Sequence, residues 1–373
     1  MSFEQNPSVN EGPYALSGSA SFALDLIRTI AAQAVLVGHA ISVLGLLPGL
    51  QPPHFAYMQN VAVVVFFLLS GLLISYSVFS RPQRPTFTSY FIDRFARIYA
   101  GLVPALIFIF LVDWIIISRG WEYEFGAGYS ILDFVGNALM LQDYPVIGPA
   151  LGITSFGSGR VLWTLAVEWW LYMAFGWWVL GGRQGTRFWV VALLLLPVPL
   201  YNAIAGRGDG LTVMWLIGVA CCLLLRGRHL RFAALGRGSL VCALLAVAAG
   251  GRLWVTKDAY DLLFAVLAAG WLVTLIALLD HTRPRVPDWL FRAVKFAADY
   301  SFTLYLVHLS VIAIGLQAIG DMSPWGTFAL LFFAANVAAA LLALGTEMQH
   351  HRIRRYLKRR FVRPVSVEQG SAL

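Results

Sequence analysis

Residues 24–40 read LDLIRTIAAQAVLVGHA, a long apolar run interrupted by Arg28 and His39. The two lie eleven positions apart. On a helix that is close to three turns, so both side chains share one face, about 16 Å apart along the axis. A guanidinium and an imidazole inside a membrane span are costly, and they usually turn toward a protein interior or a water-filled path. Either residue alone fits helix packing or an interfacial anchor. Together, and with the Glu168 and His308 segments further along, they point to a site.

The rest of the chain places this segment in a membrane. Of 373 residues, 59% are hydrophobic and 12% charged, and the mean hydropathy is +0.72. No water-soluble globule has this composition. Apolar runs of about 20 residues recur along nearly the whole length, which predicts an all-α, polytopic membrane protein. About ten transmembrane helices are expected, at 22–46, 60–79, 97–118, 161–180, 187–205, 211–226, 239–256, 260–280, 297–319 and 325–349. Residues 1–21 are polar, acidic and free of Lys and Arg, so they are read as a short tail rather than a signal peptide. Cys221, Cys222 and Cys242 fit neither a disulfide framework nor a zinc site, and packing is their expected role. No metal constellation is visible.

The net charge of +8 does not point to nucleic acid, because the charges follow topology. With the N-terminus cytoplasmic, 21 of the 27 Lys and Arg residues fall on cytoplasmic segments and 5 on outer loops, with Arg28 inside a span. This positive-inside asymmetry predicts a multi-pass protein with both termini in the cytoplasm. The membrane domain is then 22–349. The basic cytoplasmic tail 350–373 is expected to rest on anionic lipid headgroups.

The longest outer connection, 119–160, carries Trp121, Glu122, Tyr123, Glu124, Phe125, Asp133, Asp143 and Tyr144. Its run ILDFVGNALML (131–141) is too short to span and is expected to be re-entrant or interfacial. Aromatic faces beside carboxylates suit a sugar; an interfacial aromatic belt is the alternative.

Span four contains VLWTLAVEWWLYM (161–173). Glu168 there is expected at a depth similar to His39. If the two helices are neighbours, the carboxylate can fix the imidazole tautomer and raise its basicity. The alternative is a Glu bonded to hydroxyl or Trp N–H groups. In span nine, DYSFTLYLVHLSV (299–311) puts Ser301, Tyr305 and His308 on one helical face, which is either substrate-facing or a satisfied structural network. At the cytoplasmic mouth of span three, YFIDRFARIYAGLV (90–103) brings Arg94 and Arg97 to the same side. Two guanidinium forks there can grip phosphates, or simply anchor the span. Asp93 is placed to pair locally with one of them.

These motifs, taken in order, resemble a known family. Arg28 and His39 form Arg-x10-His, and FFLLSGLLIS follows with Ser70 and Gly71. DRFARIY supplies Arg-x-x-Arg. Trp163, Glu168 and Tyr172 form Trp-x4-Glu-x3-Tyr, and YSFTLYLVH closes the set. The pattern resembles the acyltransferase 3 family of integral membrane acyltransferases over about residues 20–350. That family includes O-acetylases of O-antigen, exopolysaccharide and nodulation factor, and macrolide acyltransferases.

The resemblance implies an acyl-CoA donor, usually acetyl-CoA, taken from the cytoplasm. It implies a catalytic His39 and a donor-side role for Arg94 and Arg97. Some relatives carry a fused periplasmic SGNH hydrolase-like domain. With about 24 residues after span ten, transfer here is expected on the membrane unit alone or with a separate polysaccharide-assembly partner. The expected reaction moves an acyl group onto a hydroxyl of a glycan or glycosylated acceptor. Glu168 orients His39 or holds the acceptor, Arg28 steadies negative charge, and Trp163, Tyr172, Ser301, Tyr305 and His308 contact substrate. No metal is required, and acyl-CoA, the acceptor and membrane lipids are the expected partners. The competing class is a secondary transporter of a glycan or lipid-linked intermediate, with the intramembrane charges as its path. The sequence contains no inverted repeat of the kind such transporters use.

Overall fold

A computed structural model describes residues 16–123, 128–182, 185–206, 208, 210–227 and 235–362. Most of the N-terminal tail, Glu124 and Phe125 of the outer connection, and Arg183, Arg207, Arg228, Arg231 and Arg363 lie outside these residues. The described residues are helical, without strands. The chain opens with α1 (Gly18–Val43), α2 (Met58–Phe79) and α3 (Phe87–Ser118). Two short helices follow, α4 (Ile131–Ala138) and α5 (Ile147–Leu151), then α6 (Leu162–Leu180). Next come α7 (Thr186–Leu195), α8 (Pro197–Ile204) and α9 (Leu211–Arg226). The last long helices are α10 (Leu235–Thr256), α11 (Leu262–Thr282), α12 (Asp288–Ala318) and α13 (Pro324–Gly345). A 3₁₀ turn, Glu347–Gln349, leads into α14 (His350–Phe361).

Seven of these helices, α1, α2, α3, α10, α11, α12 and α13, are long and apolar enough to cross a bilayer. The α7–α8 pair is an eighth candidate, bent by 46°. The bend falls at Pro197, which has no N–H to give the preceding turn. Tryptophans dilute the hydropathy of α6. The 16 residues of α9 span only about 24 Å, short of a full hydrocarbon core. Helices therefore stand at all ten expected positions, and the protein is an all-α polytopic membrane protein.

Two boundaries differ from expectation. Helix α3 begins at Phe87, where the Thr86 hydroxyl accepts the Ser89 N–H at 3.2 Å, so Arg94 and Arg97 lie inside a continuous helix rather than at its mouth. Helix α12 begins at Asp288 and takes in Arg292 and Lys295. Hydropathy drops at such charged turns, but a packed amphipathic turn needs no apolar run to stay helical.

Helix α1 packs on α2 and α12, and α12 also packs on α3 and α13. Helix α2 lies along α9, and the two approach closely at Gly71 and Gly218. A Cβ on Gly71 would run into the Trp215 carbonyl, and one on Gly218 into the Leu68 carbonyl. Glycine at both places lets the backbones meet.

Residues 350–361 of the basic tail form a helix docked on the protein. Asp93, only 7% exposed, pairs with Arg354 at 2.7 Å, Lys358 at 2.7 Å and Arg81 at 3.6 Å. It therefore does not pair with Arg94 or Arg97, as local spacing suggested; its partners come from α14 and the segment before α3. Arg352, Arg355, Arg359 and Arg360 remain exposed, so only that face of α14 is free for headgroups.

The described part of the 119–160 connection runs back along α3 and α6. The Tyr99 hydroxyl donates to the Ala138 carbonyl at 2.8 Å, and the Trp170 indole donates to Met140 at 2.7 Å. Tyr99 lies about 28 Å along α3 from the end where the connection starts. The fully buried Asn137 holds the returning segment of this loop, donating to the Thr154 carbonyl at 2.6 Å and accepting from the Phe156 N–H at 3.2 Å. The three cysteines are free and buried.

Candidate active site

Residues from α1, α2, α3, α6 and α12 enclose a cavity of about 210 Å³. Its charged lining is Arg28, Arg94, Arg97 and Glu168; Ser70, Tyr172, Ser301, Tyr305 and Thr164 add hydroxyls. The cavity thus gathers Arg28, the arginine pair and Glu168, from three separate motifs.

Each arginine is held differently. Arg97 pairs at 2.9 Å with Glu347, a fully buried carboxylate whose other oxygen accepts the Thr303 N–H at 2.9 Å and hydroxyl at 2.8 Å. Arg28 meets Asp25 at 3.2 Å and donates to the Ala298 carbonyl at 3.0 Å. Arg94 lies over the Tyr90 ring at 5.8 Å. The Nε atoms of Arg28 and Arg94 are buried without hydrogen-bond partners. Buried donors left unmade cost about 1–3 kcal/mol each, and an anion in the cavity would recover that.

Glu168 sits at the end of a directed chain of hydrogen bonds. The Trp215 indole, which can only donate, reaches Ser70 Oγ at 3.0 Å. Ser70 and the Tyr172 hydroxyl are 2.8 Å apart, and Tyr172 donates to Glu168. The chemistry of its ends fixes the direction: Trp215 to Ser70 to Tyr172 to Glu168. This corrects the expected Glu168–His39 contact. Helix α6 packs on α2, α3, α7 and α8, whereas α1 packs on α2, α11, α12 and α13. Similar depth did not make them neighbours.

His39 and His308 lie beyond the cavity and do not line it. Their ring centroids are 5.2 Å apart. Gly38 abuts Gln59 on α2, one turn past Val63, where the cavity ends. Between cavity and histidines stands Tyr305, its hydroxyl 2.5 Å from Thr164 Oγ1 and its ring edge-on to Phe66. Ser301 lines the cavity and donates to the Ala298 carbonyl at 2.8 Å. Trp163 packs at Gly208, away from the cavity.

Two buried carboxylates escaped the sequence reading. Glu347 lies where span ten was expected to run on. Asp113, fully buried in α3, accepts from the Tyr123 hydroxyl and the Ser158 N–H, each at 2.8 Å. The cost of a carboxylate within an apolar segment, the signal that marked Glu168, applied to both.

A family model described as an acyltransferase domain matches residues 21–344. The chain is similar to an O-acetyl transferase of Shigella phage Sf6, 27% identical over 190 residues, which is 50% of this chain and 54% of that one. The match thus spans about half the length of the phage enzyme. It is also similar to acyltransferase MdmB of Streptomyces mycarofaciens, 26% identical over 321 residues and 78% of each chain. No solved structure matches. With Arg28, Arg94, Arg97 and Glu168 gathered around one cavity and the family model covering most of its length, the chain belongs to the acyltransferase 3 family.

Proposed function

We propose that the protein transfers an acyl group, acetyl in the first instance, from cytoplasmic acyl-CoA to a hydroxyl of a glycan or glycosylated acceptor. The observation that carries this reading is the cavity that starts at Arg28, Arg94 and Arg97 and ends one helical turn short of His39 and His308. Its volume of about 210 Å³ is below the ~300–1,000 Å³ of pockets that engulf a drug-sized ligand. It suits an extended thioester arm better than a whole nucleotide. The arginines suit the phosphates, which would stay at the basic end.

In this reading the basic end faces the cytoplasm of a bacterial inner membrane, with both chain termini on that side. Arg94 and Arg97 bind the donor phosphates, and Arg28 neutralises charge deeper in the cavity. Tyr305 turns aside from Thr164 to let the thioester reach the histidines. His39 takes the proton of the acceptor hydroxyl as its oxygen attacks the carbonyl. Glu168, held through Tyr172, sets the electrostatics of the cavity wall instead of orienting His39. The acceptor enters from the opposite side, past the 119–160 connection.

The test uses the purified full chain in detergent with acetyl-CoA and a panel of sugar acceptors, read by mass spectrometry of the products. Acetylated product that requires Arg94, Arg97 and His39 supports the proposal. Absence of acetyl-CoA turnover, with uptake of a glycan by proteoliposomes, would favour a transporter instead.

A further inference from the structure

The proposed reaction assigns proton transfer to His39 without saying what holds its ring. We propose that His308 does: its bare Nε2 accepts the ring N–H of His39 and so fixes which nitrogen of His39 is left to take the acceptor's proton. The inference rests on the acyl-transfer reading above.

The tautomer of His308 follows from its own helix. Its Nδ1 lies 2.8 Å from the Tyr305 carbonyl and 3.1 Å from the Leu304 carbonyl. Carbonyl oxygens only accept, so Nδ1 carries the hydrogen and Nε2 bears a lone pair. That Nε2 is buried without a hydrogen-bond partner, on a side chain with no exposed surface. The polar ring beside it is His39, with 5.2 Å between centroids and 35° between planes. The two rings are close but not hydrogen-bonded as they stand, and the proposed pairing requires the His39 ring to rotate about its side-chain bonds so that an N–H meets that lone pair.

Among the described residues, the buried carboxylates that could orient His39 are already engaged elsewhere. Glu168 is held by Tyr172 on α6, whose main packing is against α2, α3, α7 and α8. Asp25 is on Arg28, Glu347 on Arg97 and Thr303, and Asp113 on Tyr123 and Ser158. Helices α1 and α12, by contrast, pack along each other and hold the two rings on rigid elements.

During transfer the acceptor oxygen forms a bond to the thioester carbonyl carbon, and the carbon–sulfur bond breaks. The hydroxyl proton passes to the free nitrogen of His39 and then to the departing thiolate sulfur. His308 gains and loses no proton. Its role is positioning, and its bond to His39 strengthens while His39 is positively charged.

Two substitutions separate this role from packing. His308→Asn keeps a donor near the Nδ1 position and removes the acceptor at Nε2; His308→Gln places a carbonyl oxygen near the Nε2 position. The assay is thiol release from acetyl-CoA, with water as acceptor, by the purified full chain. His308→Asn is expected to lower kcat by about 10² with KM within about twofold. His308→Gln should recover at least tenfold of that loss. Native kcat in His308→Asn, or equal losses in both variants, would overturn the proposal.

A second readout needs no turnover. In protein with ¹⁵N-labelled histidine rings, the His39 signals, assigned by their loss in His39→Gln, should report a single tautomer in the native chain and a mixture in His308→Asn. Identical His39 shifts in the two would overturn the pairing. A native chain that fails to turn over acetyl-CoA but shows the tautomer change would overturn the acyl-transfer reading and leave the pair standing.

Discussion

Glu347 and Arg97 lie far apart in the sequence and meet at 2.9 Å, the carboxylate fully buried and the guanidinium facing the cavity. The pair ties the turn after α13 to the middle of α3 and fixes one wall of the proposed donor site. Glu347→Ala removes a hydrogen-bonded charge and strands both Arg97 and the Thr303 N–H. Bonds to charged groups are worth about 1.5–3 kcal/mol. The thermal unfolding midpoint in detergent should therefore drop by several degrees. Glu347→Gln, which can still accept from Thr303, should lose less than half as much. Equal losses would mean that the ion pair, not the Thr303 bonds, carries the stability.

The arginine pair predicts donor affinity. Replacing Arg94 and Arg97 together with Ala should weaken acetyl-CoA binding tenfold or more, since each charged phosphate contact contributes about 1.5–3 kcal/mol. Isothermal titration on matched amounts of folded protein checks this. Unchanged affinity would make the pair a topological anchor and nothing more.

The relay into Glu168 predicts a graded response. Tyr172→Phe keeps the ring and deletes the hydroxyl that joins Ser70 to Glu168. Acyl transfer should fall by about tenfold, and stability by about 1 kcal/mol for the lost hydrogen bond. Ser70→Ala should do less, because Tyr172 can still donate to Glu168. Steady-state kinetics and thermal unfolding of the two variants test the order. Native activity in Tyr172→Phe would remove Glu168 from the working part of the site.

Asp93 predicts where the C-terminal helix comes loose. Asp93→Asn discharges the carboxylate that Arg354 and Lys358 share. Limited trypsin digestion should then cleave within residues 352–360 several times faster than in the native chain. An unchanged rate would mean that the apolar contacts of α14 hold it without the clamp.

The helices and most of the cavity's charged lining could be read from the sequence, and the reasons differ by residue. Arg94 and Arg97 are three apart on one helix, so spacing alone puts them on one side. Arg28 and Glu168 stood out because charge within an apolar segment is expensive. The Glu168–His39 pairing failed because depth is a single coordinate. It says how far along the membrane normal a residue lies, and nothing about which helices are neighbours. Glu347 escaped because its partners, Arg97 and Thr303, lie on other helices. Asp93 misled because its sequence neighbours are arginines while its charge is satisfied from α14. The true start of α3 was missed because hydropathy marks where a helix becomes apolar, not where Thr86 caps it.

The account stands or falls on His39, the ring set one turn beyond the proposed donor cavity and beside His308. The most direct measurement is turnover by purified His39→Gln at saturating acetyl-CoA and acceptor, with acetyl-CoA affinity measured on the same sample. Glutamine keeps much of the size and hydrogen-bonding capacity of the ring but cannot take a proton at neutral pH. The account predicts native donor affinity and a loss of acyl transfer of about 10² or more, the scale of general-base removal. Near-native transfer by His39→Gln would contradict it and make His39 a structural residue.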